Sequence, residues 1–586
     1  MNTSTYVAGI DLGTTNCSMC VFTRGYYELI KDESGSYVIP SVVAFRNEGL
    51  RYGSSAKNDC SYGPVACETK CFMGLHSLPE NYDTNDLTYS ISGDSGKLQL
   101  VFDSEDLDTG NHDPEYIMAT YPECVAALVL RYLVGLAKQK GFDVSQAVIT
   151  VPATYSLNRI HAVIKAAHLA GLCVLRIVQE PCAAAFAYYH EHANEAPFKR
   201  SLLYDLGGGT FDLTIIDRNE SGVSISKSAG NSTVGGRNLD KKFALWINKT
   251  FHKDYPIGGA CNSLWKLRQE AEDIKIQLSS LNEVSHDVSD IYGKTHSVSI
   301  KRENFEEACK EDLDNTVKEC KSFVGDSGID SILLVGGSSQ IPYIERSLKK
   351  EFGDLIKKIN DPGGIVAKGA AMIGNSEIDD QSSLYHVSLE YTYLYNIYMS
   401  CTSNNDNNPI KIFQSRSCIT TWKKTYHASE LNLSSPYRIY IYTEEKEKSK
   451  EDDSQRICIG YFQLPEENKF EQYVFSFGND YEMRLQLIGQ NGMVIGDYLN
   501  ITYYYDIDKD YEEESLLINR FMDLLTSIKE SIVTQPSSKK DTVIRYCDLY
   551  LSFEKFYRLC REKKDVEVIQ REYDTYKRLY TPFLTA

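Results

Sequence analysis

Residues 9–16 read GIDLGTTN and residues 203–212 read LYDLGGGTFD. Each is an apolar run that ends in Asp-Leu-Gly, passes through small or hydroxyl residues and enters a second run. One short strand–turn–strand unit repeated far along the chain predicts two duplicated lobes. Glycine lets such a turn bend tightly and bring bare N–H groups against a ligand. A row of N–H groups with threonine hydroxyls suits phosphate oxygens. The aspartates that close the two strands, Asp11 and Asp205, suit a hydrated Mg²⁺, which keeps its waters while binding phosphates. Two facing copies would close on a triphosphate from both sides. One such turn alone reads as an ordinary hairpin; two with matching aspartates favour phosphate.

Other phosphate-binding and hydrolytic signatures fail. Gly293-Lys294-Thr295 resembles the end of a P-loop, but Val288 stands where that loop needs glycine. No Gly-x-Gly-x-x-Gly opens a helix after a strand, and no Gly-x-Ser-x-Gly elbow is present.

The chain has 586 residues, too many for one compact domain, with 42% hydrophobic and 24% charged residues, an ordinary globular balance. Its 62 basic and 81 acidic residues leave a net charge of −19, which repels phosphate backbones and excludes nucleic acid as a first partner. No run approaches the ~20 apolar residues of a spanning helix. The opening MNTSTYVAGIDLG enters a strand with no basic flank or cleavage site. A cytoplasmic protein without a membrane partner is expected. Of 16 cysteines the one CxxC pair is Cys17 and Cys20, in a run that reads as a strand. Residues three apart there point to opposite faces, so buried thiols are a better reading than metal or redox chemistry.

Residues 1–375 alternate short apolar strands with helices, the signature of an α/β domain. Polar residues 376–390 (SEIDDQSS within them) form a linker. Tyrosine-rich alternating runs such as YRIYIY, CIGYF and YVFSF predict an antiparallel β-domain over 391–510, with 444–455 as a solvated hairpin loop. Leu516, Leu517, Phe521, Leu524, Leu525, Ile528 and Ile532 recur at helical spacing, which predicts a helical tail over 511–586.

At this point a family is recognisable. The first domain resembles the nucleotide-binding domain of the seventy-kilodalton heat-shock, DnaK-type chaperones, an actin-like ATPase of two duplicated lobes. The resemblance covers GIDLGTTN, AVITVPATY at 147–155, AGLCVLRIVQEPCAAAFAYY at 170–189, LLYDLGGGTFDLTIID at 202–217 and ILLVGGSSQIPYIE at 332–345. It implies ATP or ADP with Mg²⁺, and K⁺ as a further cation. Asp11 and Asp205 would hold Mg²⁺ through water, and Gly13, Thr14, Thr15, Asn16, Gly207, Gly208, Gly209 and Thr210 would contact phosphate. Lys70 would reach the γ-phosphate and attacking water, and Glu180 would orient that water; these two, Asp11, Asp205 and Thr210 are the implied catalytic set. Pro152 matches the family's interdomain switch. Glu272, Lys275 and Ser279 on one helix face, with Gly336, Gly337, Ser338 and Gln340 opposite, would hold the nucleoside.

Several positions depart from the family pattern. Ile276 and Gln340 replace arginines that sandwich the adenine, so the cation–π share, ~0.5–2 kcal/mol per arginine, is missing and weaker nucleotide binding is expected. Arg237 and Asn238 stand where acidic residues are usual. The linker is polar, with Leu384, Tyr385 and Val387 as its apolar candidates. The segments at 412–429 and onward follow the family's peptide-holding β-sandwich more loosely. By resemblance the partners are unfolded or extended apolar peptides, J-domain co-chaperones and nucleotide-exchange factors. The chain ends TPFLTA rather than in the EEVD tail read by repeat co-chaperones. An ATP-dependent chaperone is the expected function. The alternative is a degenerate nucleotide-binding interaction module with little hydrolysis, and a sugar or metabolite kinase is a remoter third.

Overall fold

The computed structural model describes most of residues 6–503 and, beyond Tyr503, only Asp574 and Arg578. The expected helical tail, linker residues 379–387 and loop residues 445–455 lie outside the described residues.

The first sheet contains β1 (Tyr6–Asp11), β2 (Asn16–Thr23), β3 (Tyr26–Leu29), β4 (Val144–Val151) and β5 (Cys173–Gln179), in the order β5-β4-β1-β2-β3. The second contains β6 (Arg200–Leu206), β7 (Phe211–Asn219), β8 (Gly222–Asn231), β9 (Ser331–Val335), β10 (Ile356–Lys357) and β11 (Ser388–Glu390), in the order β10-β9-β6-β7-β8-β11. Strand for strand the two match. β1 runs antiparallel to β2 and parallel to β4, as β6 runs antiparallel to β7 and parallel to β9. Asp11 faces Thr150 across its parallel neighbour, and Asp205 faces Val335 across the equivalent one. The duplication expected from the two Asp-Leu-Gly segments is therefore a duplication of topology.

Helices α1 (Pro122–Gln139), α2 (Leu157–Leu169), α3 (Glu180–Glu191), α4 (Gly236–Phe251), α5 (Cys261–Ser280) and α6 (Ile365–Ile378) surround the two sheets. One apolar core around Ile10, Met19, Val148 and Ile177 reaches Leu203, Ile216 and Leu333 of the second sheet, and another gathers Leu202, Tyr204, Phe243 and Leu334. Burying one such side chain contributes about 1.5–3 kcal/mol, which fixes the strand ends that carry the site. Among the described residues no helix is long and apolar enough to cross a membrane.

Two antiparallel sheets follow. One orders β13 (Ile410–Phe413), β12 (Ile397–Ser400), β15 (Arg438–Glu444), β16 (Arg456–Gln463) and β20 (Thr502–Tyr503). The other orders β14 (Lys423–His427), β17 (Phe470–Phe477), β18 (Met483–Gly489) and β19 (Val494–Asn500). Ile439, Ile441, Phe462, Phe475 and Leu485 share one core between them. The alternation puts Tyr398, Tyr440, Tyr442 and Tyr461 into a second, separate buried cluster, so these tyrosines are packing residues. β15 and β16 pair antiparallel up to Glu444 and Arg456, the last described residues on either side of 445–455.

Two details refine the sequence analysis. The expected linker 376–390 ends in β11, whose Ser388, Leu389 and Glu390 pair in parallel with Gly222, Val223 and Ser224 of β8. The strand that joins the second sheet thus begins after the apolar candidates Leu384, Tyr385 and Val387, which lie outside the described residues. Backbone hydrogen bonds, not side-chain apolarity, specify an edge strand of this kind. Cys17 and Cys20 sit on β2 in separate apolar clusters, and burial pushes both thiols up to about 12. Such thiols are neither ready metal ligands nor redox groups.

Candidate functional site

The ends of β1 and β6 bring the two Asp-Leu-Gly turns face to face. A Cβ added at Gly208 would lie 2.1 Å from Thr15 Oγ1, and one added at Gly209 would lie 2.8 Å from Thr14 Cγ2. Backbone contact this close leaves room only for hydrogen at Gly208. The Gly207 N–H donates to the Thr210 carbonyl at 3.0 Å, which tightens the turn. The Gly236 and Arg237 N–H groups donate to the carbonyls of Gly207 and Gly208 at 2.9 and 2.7 Å, tying the turn to the start of α4. Thr15 Oγ1 is buried without a protein hydrogen-bond partner, a donor that a phosphate oxygen would satisfy. Gly208→Ala is expected to wedge the turns apart and weaken nucleotide binding at least tenfold, on the order of one strained buried contact. A binding isotherm within twofold of the unsubstituted protein would contradict this.

Below the turns lies a charged cluster. Lys70, 5% exposed on the short 3₁₀ turn Thr69–Cys71, donates from Nζ to Glu180 Oε1 at 2.8 Å. Glu180 is the first residue of α3, where a carboxylate is favoured by the helix dipole. Burial works against the Lys70 charge, but Glu180, Tyr155 and Asp11 outweigh it and hold the ammonium above its ordinary range. Burial, with Glu180 adding repulsion, raises Asp11 to about 7. Asp205 is raised well above the carboxylate range, first by burial, then by Glu180, Asp212 and Asp11. An excess of buried carboxyl groups over cations is the environment a divalent cation would relieve. Among the described residues no three His, Cys, Asp or Glu side chains converge at metal-ligand spacing. Asp11 and Asp205 fit a cation held through its waters rather than a direct cage.

Two residues of this cluster were missed from sequence. Asp212 sits on β7 directly opposite Asp205 of β6, and burial raises it to about 6. Its place inside LYDLGGGTFD, seven residues after Asp205 across a tight turn, was the available signal. Arg159 on α2 donates from Nη2 to the carbonyls of Lys70 and Cys71 at 3.1 and 3.2 Å and to the Tyr155 hydroxyl at 3.0 Å. Its guanidinium lies 3.9 Å from the Tyr155 ring centroid. These bonds grip the backbone that carries Lys70, and Arg159 itself stands four residues after the Tyr155 of VPATY. Pro152 is buried at the start of that loop, and its carbonyl accepts the Tyr155 N–H at 3.2 Å.

Of the residues expected to hold a nucleoside, Lys275 and Ser338 come together. A Cβ added at Gly236 would meet Ser338 Oγ at 2.4 Å and Lys275 Nζ at 3.4 Å, so the start of α4, the face of α5 and the 337–340 turn share one point. Gly336, at φ +81, has its α-carbon against Asp205, since an added Cβ would lie 2.6 Å from Asp205 Oδ1. Gly337 faces open space within 4 Å. Lys275 pairs with Asp240 at 2.7 Å; burial opposes its charge, and Asp240 and Glu272 more than restore it. Glu272 pairs with Lys57 at 2.7 Å. Ser279 donates to the Lys275 carbonyl at 3.2 Å. Gln340 is exposed, with its Nε2 on Ser339 Oγ, and Ile276 is 57% exposed, an apolar surface on which a base could lie. Thr15, Asn16, Lys57, Glu68, Arg268 and Glu272 line one cleft. Gly13 completes the first turn, its α-carbon packed on the Asn16 carbonyl.

The chain is similar to known proteins. Residues 7–417 match the family described as Hsp70 protein. The chain is 33% identical over 387 residues to the chaperone protein dnaK of Cyanidium caldarium, covering 63% of this chain and 60% of that one. It is 31% identical over 382 residues to the chaperone protein DnaK of Deinococcus proteolyticus, covering 62% and 58%. The chaperone protein dnaK of Guillardia theta gives 33% over 385 residues, covering 62% and 59%. The matches thus span about three fifths of the relatives' length.

Proposed function

The chain belongs to the Hsp70 protein family, and we propose that it is an ATP-dependent chaperone whose hydrolysis of ATP gates the grip of the β-sandwich on extended apolar peptide. The observation that carries this is the Lys70–Glu180 pair set among Asp11, Asp205 and Asp212 beneath two facing phosphate-type turns. The relatives bear the name chaperone.

In this proposal residues 1–375 form the ATPase domain, 376–390 the linker, 391–510 the peptide-holding sandwich and 511–586 a lid. The turns at 13–16 and 207–210 hold the triphosphate, and Thr15 Oγ1 finds its partner there. Glu272, Lys275, Ser279, Gly336, Gly337, Ser338 and Gln340 hold the nucleoside. Mg²⁺, when bound, neutralises phosphate oxygens; Asp11 and Asp205 receive its waters, and K⁺ is a candidate second cation. Lys70 faces the transferred phosphoryl group, where a fixed ammonium stabilises charge developing on its oxygens. Glu180 keeps that ammonium in place and accepts a hydrogen bond from the attacking water. Arg159 and Tyr155 fix the Lys70 backbone, so the chemistry is mainly positioning. J-domain proteins and exchange factors are the co-chaperones in view, and a cytoplasm that keeps thiols reduced suits the ten described cysteines, all unbridged.

The degenerate-module alternative rests on the polar linker and the replaced adenine arginines. Neither touches the lysine–carboxylate cluster, and the β8–β11 pairing supplies a route between the domains without an apolar linker. Leu389→Pro, which removes a backbone N–H from the edge strand β11 and fixes φ at that position at about −65°, is expected to abolish peptide stimulation of hydrolysis and leave unstimulated turnover within about twofold. Steady-state ATPase with and without an unfolded apolar peptide checks this. Stimulation that survives in the variant means that β11 does not couple the domains; no hydrolysis in the unsubstituted protein would overturn the ATPase proposal.

A further inference from the structure

Two residues before Lys70, the Glu68 carboxylate is shared by two guanidinium groups from the other lobe. Arg268 of α5 donates to Oε1 at 2.6 Å, and Arg237 of α4 lies 2.5 Å from Oε2. The three side chains are 4%, 9% and 5% exposed for Glu68, Arg237 and Arg268. The Tyr82 hydroxyl approaches Oε2 at 3.4 Å and is itself bonded by Arg237, whose Nη2 also donates to the Asp83 carbonyl at 3.0 Å. The residue before, Cys67, accepts from Trp265 Nε1 of α5 at 3.4 Å. Other pairs that cross the cleft are wetter: Asp83 with Lys241 is half exposed, and Lys57 with Glu272 is partly so. Exposed pairs are screened and contribute little, whereas a buried carboxylate cannot readily lose its partners.

Glu68 is also held at φ +61, a left-handed conformation that only two other described non-glycine residues share. Its carbonyl accepts the Cys71 N–H at 3.0 Å and so starts the turn on which Lys70 sits. Movement of the Glu68 side chain with the second lobe must rotate that turn. We propose that Glu68 is a positioning residue and the shared anion of a latch between the lobes, setting both how long nucleotide stays bound and where Lys70 points. Arg237, standing where an acidic residue was expected, is what makes the triad. This inference rests on the ATPase proposal for its nucleotide arm only.

Release of a fluorescent ADP, followed by stopped flow, tests it. Glu68→Gln and Arg268→Gln should each speed release about tenfold or more, the size expected when a buried pair loses one partner. The double variant should add little to either single one, because all break the same triad. Single-turnover hydrolysis should slow in Glu68→Gln, and Glu68→Asp, which keeps the charge on a shorter stem, should recover part of both effects. Amide exchange over residues 65–75, measured without nucleotide, should rise in Glu68→Gln while that of β4 stays unchanged. Release within twofold of the unsubstituted protein, additive singles, or unchanged exchange over 65–75 each overturns the latch. An unsubstituted protein that binds no ADP overturns the ATPase proposal instead, and the exchange measurement still decides the latch.

Discussion

Replacing Lys70 with alanine is expected to slow single-turnover ATP hydrolysis by about 10²–10³-fold, the usual loss when one preorganised donor to transition-state charge is removed. Nucleotide binding should change much less, because the turns at 13–16 and 207–210 and the α5 face remain. The substitution has a second consequence. It leaves Glu180 in a partly buried site with Asp11, Asp205 and Asp212 around it and no ammonium to offset them. Losing one member of a buried pair costs about 3–5 kcal/mol, and the 14% exposure of the Glu180 side chain should soften that. Lys70→Ala with Glu180→Gln should therefore unfold at a higher temperature than Lys70→Ala alone, yet hydrolyse no faster. Stability and catalysis would then separate within one pair of residues. Hydrolysis by Lys70→Ala within threefold of the unsubstituted protein would remove Lys70 from the catalytic set.

The buried carboxyl groups give the second large expectation, a stability that falls as pH rises. Asp11 is raised from 3.8 to about 7 by burial and by Glu180. Between those values the folded protein keeps a proton that the unfolded chain has released, so folded stability decreases with rising pH across that window. At 1.36 kcal/mol for each pKa unit, the Asp11 contribution amounts to a few kcal/mol. Without nucleotide, the unfolding temperature should drop between pH 5.5 and 8, and Asp11→Asn should drop less. At pH 8 Asp11→Asn should be the more stable protein, because its buried amide carries no charge. Adding Mg·ADP should flatten the profile of the unsubstituted protein by giving the carboxylates a cation, and should do so less for Asp11→Asn. Profiles that coincide for the two proteins without nucleotide would show that Asp11 is not the buried titrating group described here.

Much of this was legible because it is local. The Asp-Leu-Gly turns announce themselves in eight to ten residues, since tight turns and bare backbone demand glycine wherever they occur. The alternation of Ile439, Tyr440, Ile441 and Tyr442 already told which residues would share a sheet face. What each face packs against was another matter: the aromatic run could equally have lined a groove, and folding made it a buried tyrosine cluster. Asp212 was in plain view within a quoted motif, but its role depends on lying across from Asp205, which is a property of strand pairing.

The sequence by itself determined the duplicated lobes, the two Asp-Leu-Gly turns with Asp11 and Asp205, and the antiparallel character of the second region. These follow from short-range patterns of period, turn chemistry and motif, in which neighbours in the chain carry the signal. Lys70 and Glu180 were reached only through the resemblance to a family. Tertiary structure alone decided that Arg159 grips the Lys70 backbone, that β11 pairs with β8 at the end of a polar linker, and that Glu68 is shared by Arg237 and Arg268. Each joins residues far apart in the chain through burial and ion pairing. Charge in a sequence reads as solvated surface until the fold removes the water around it.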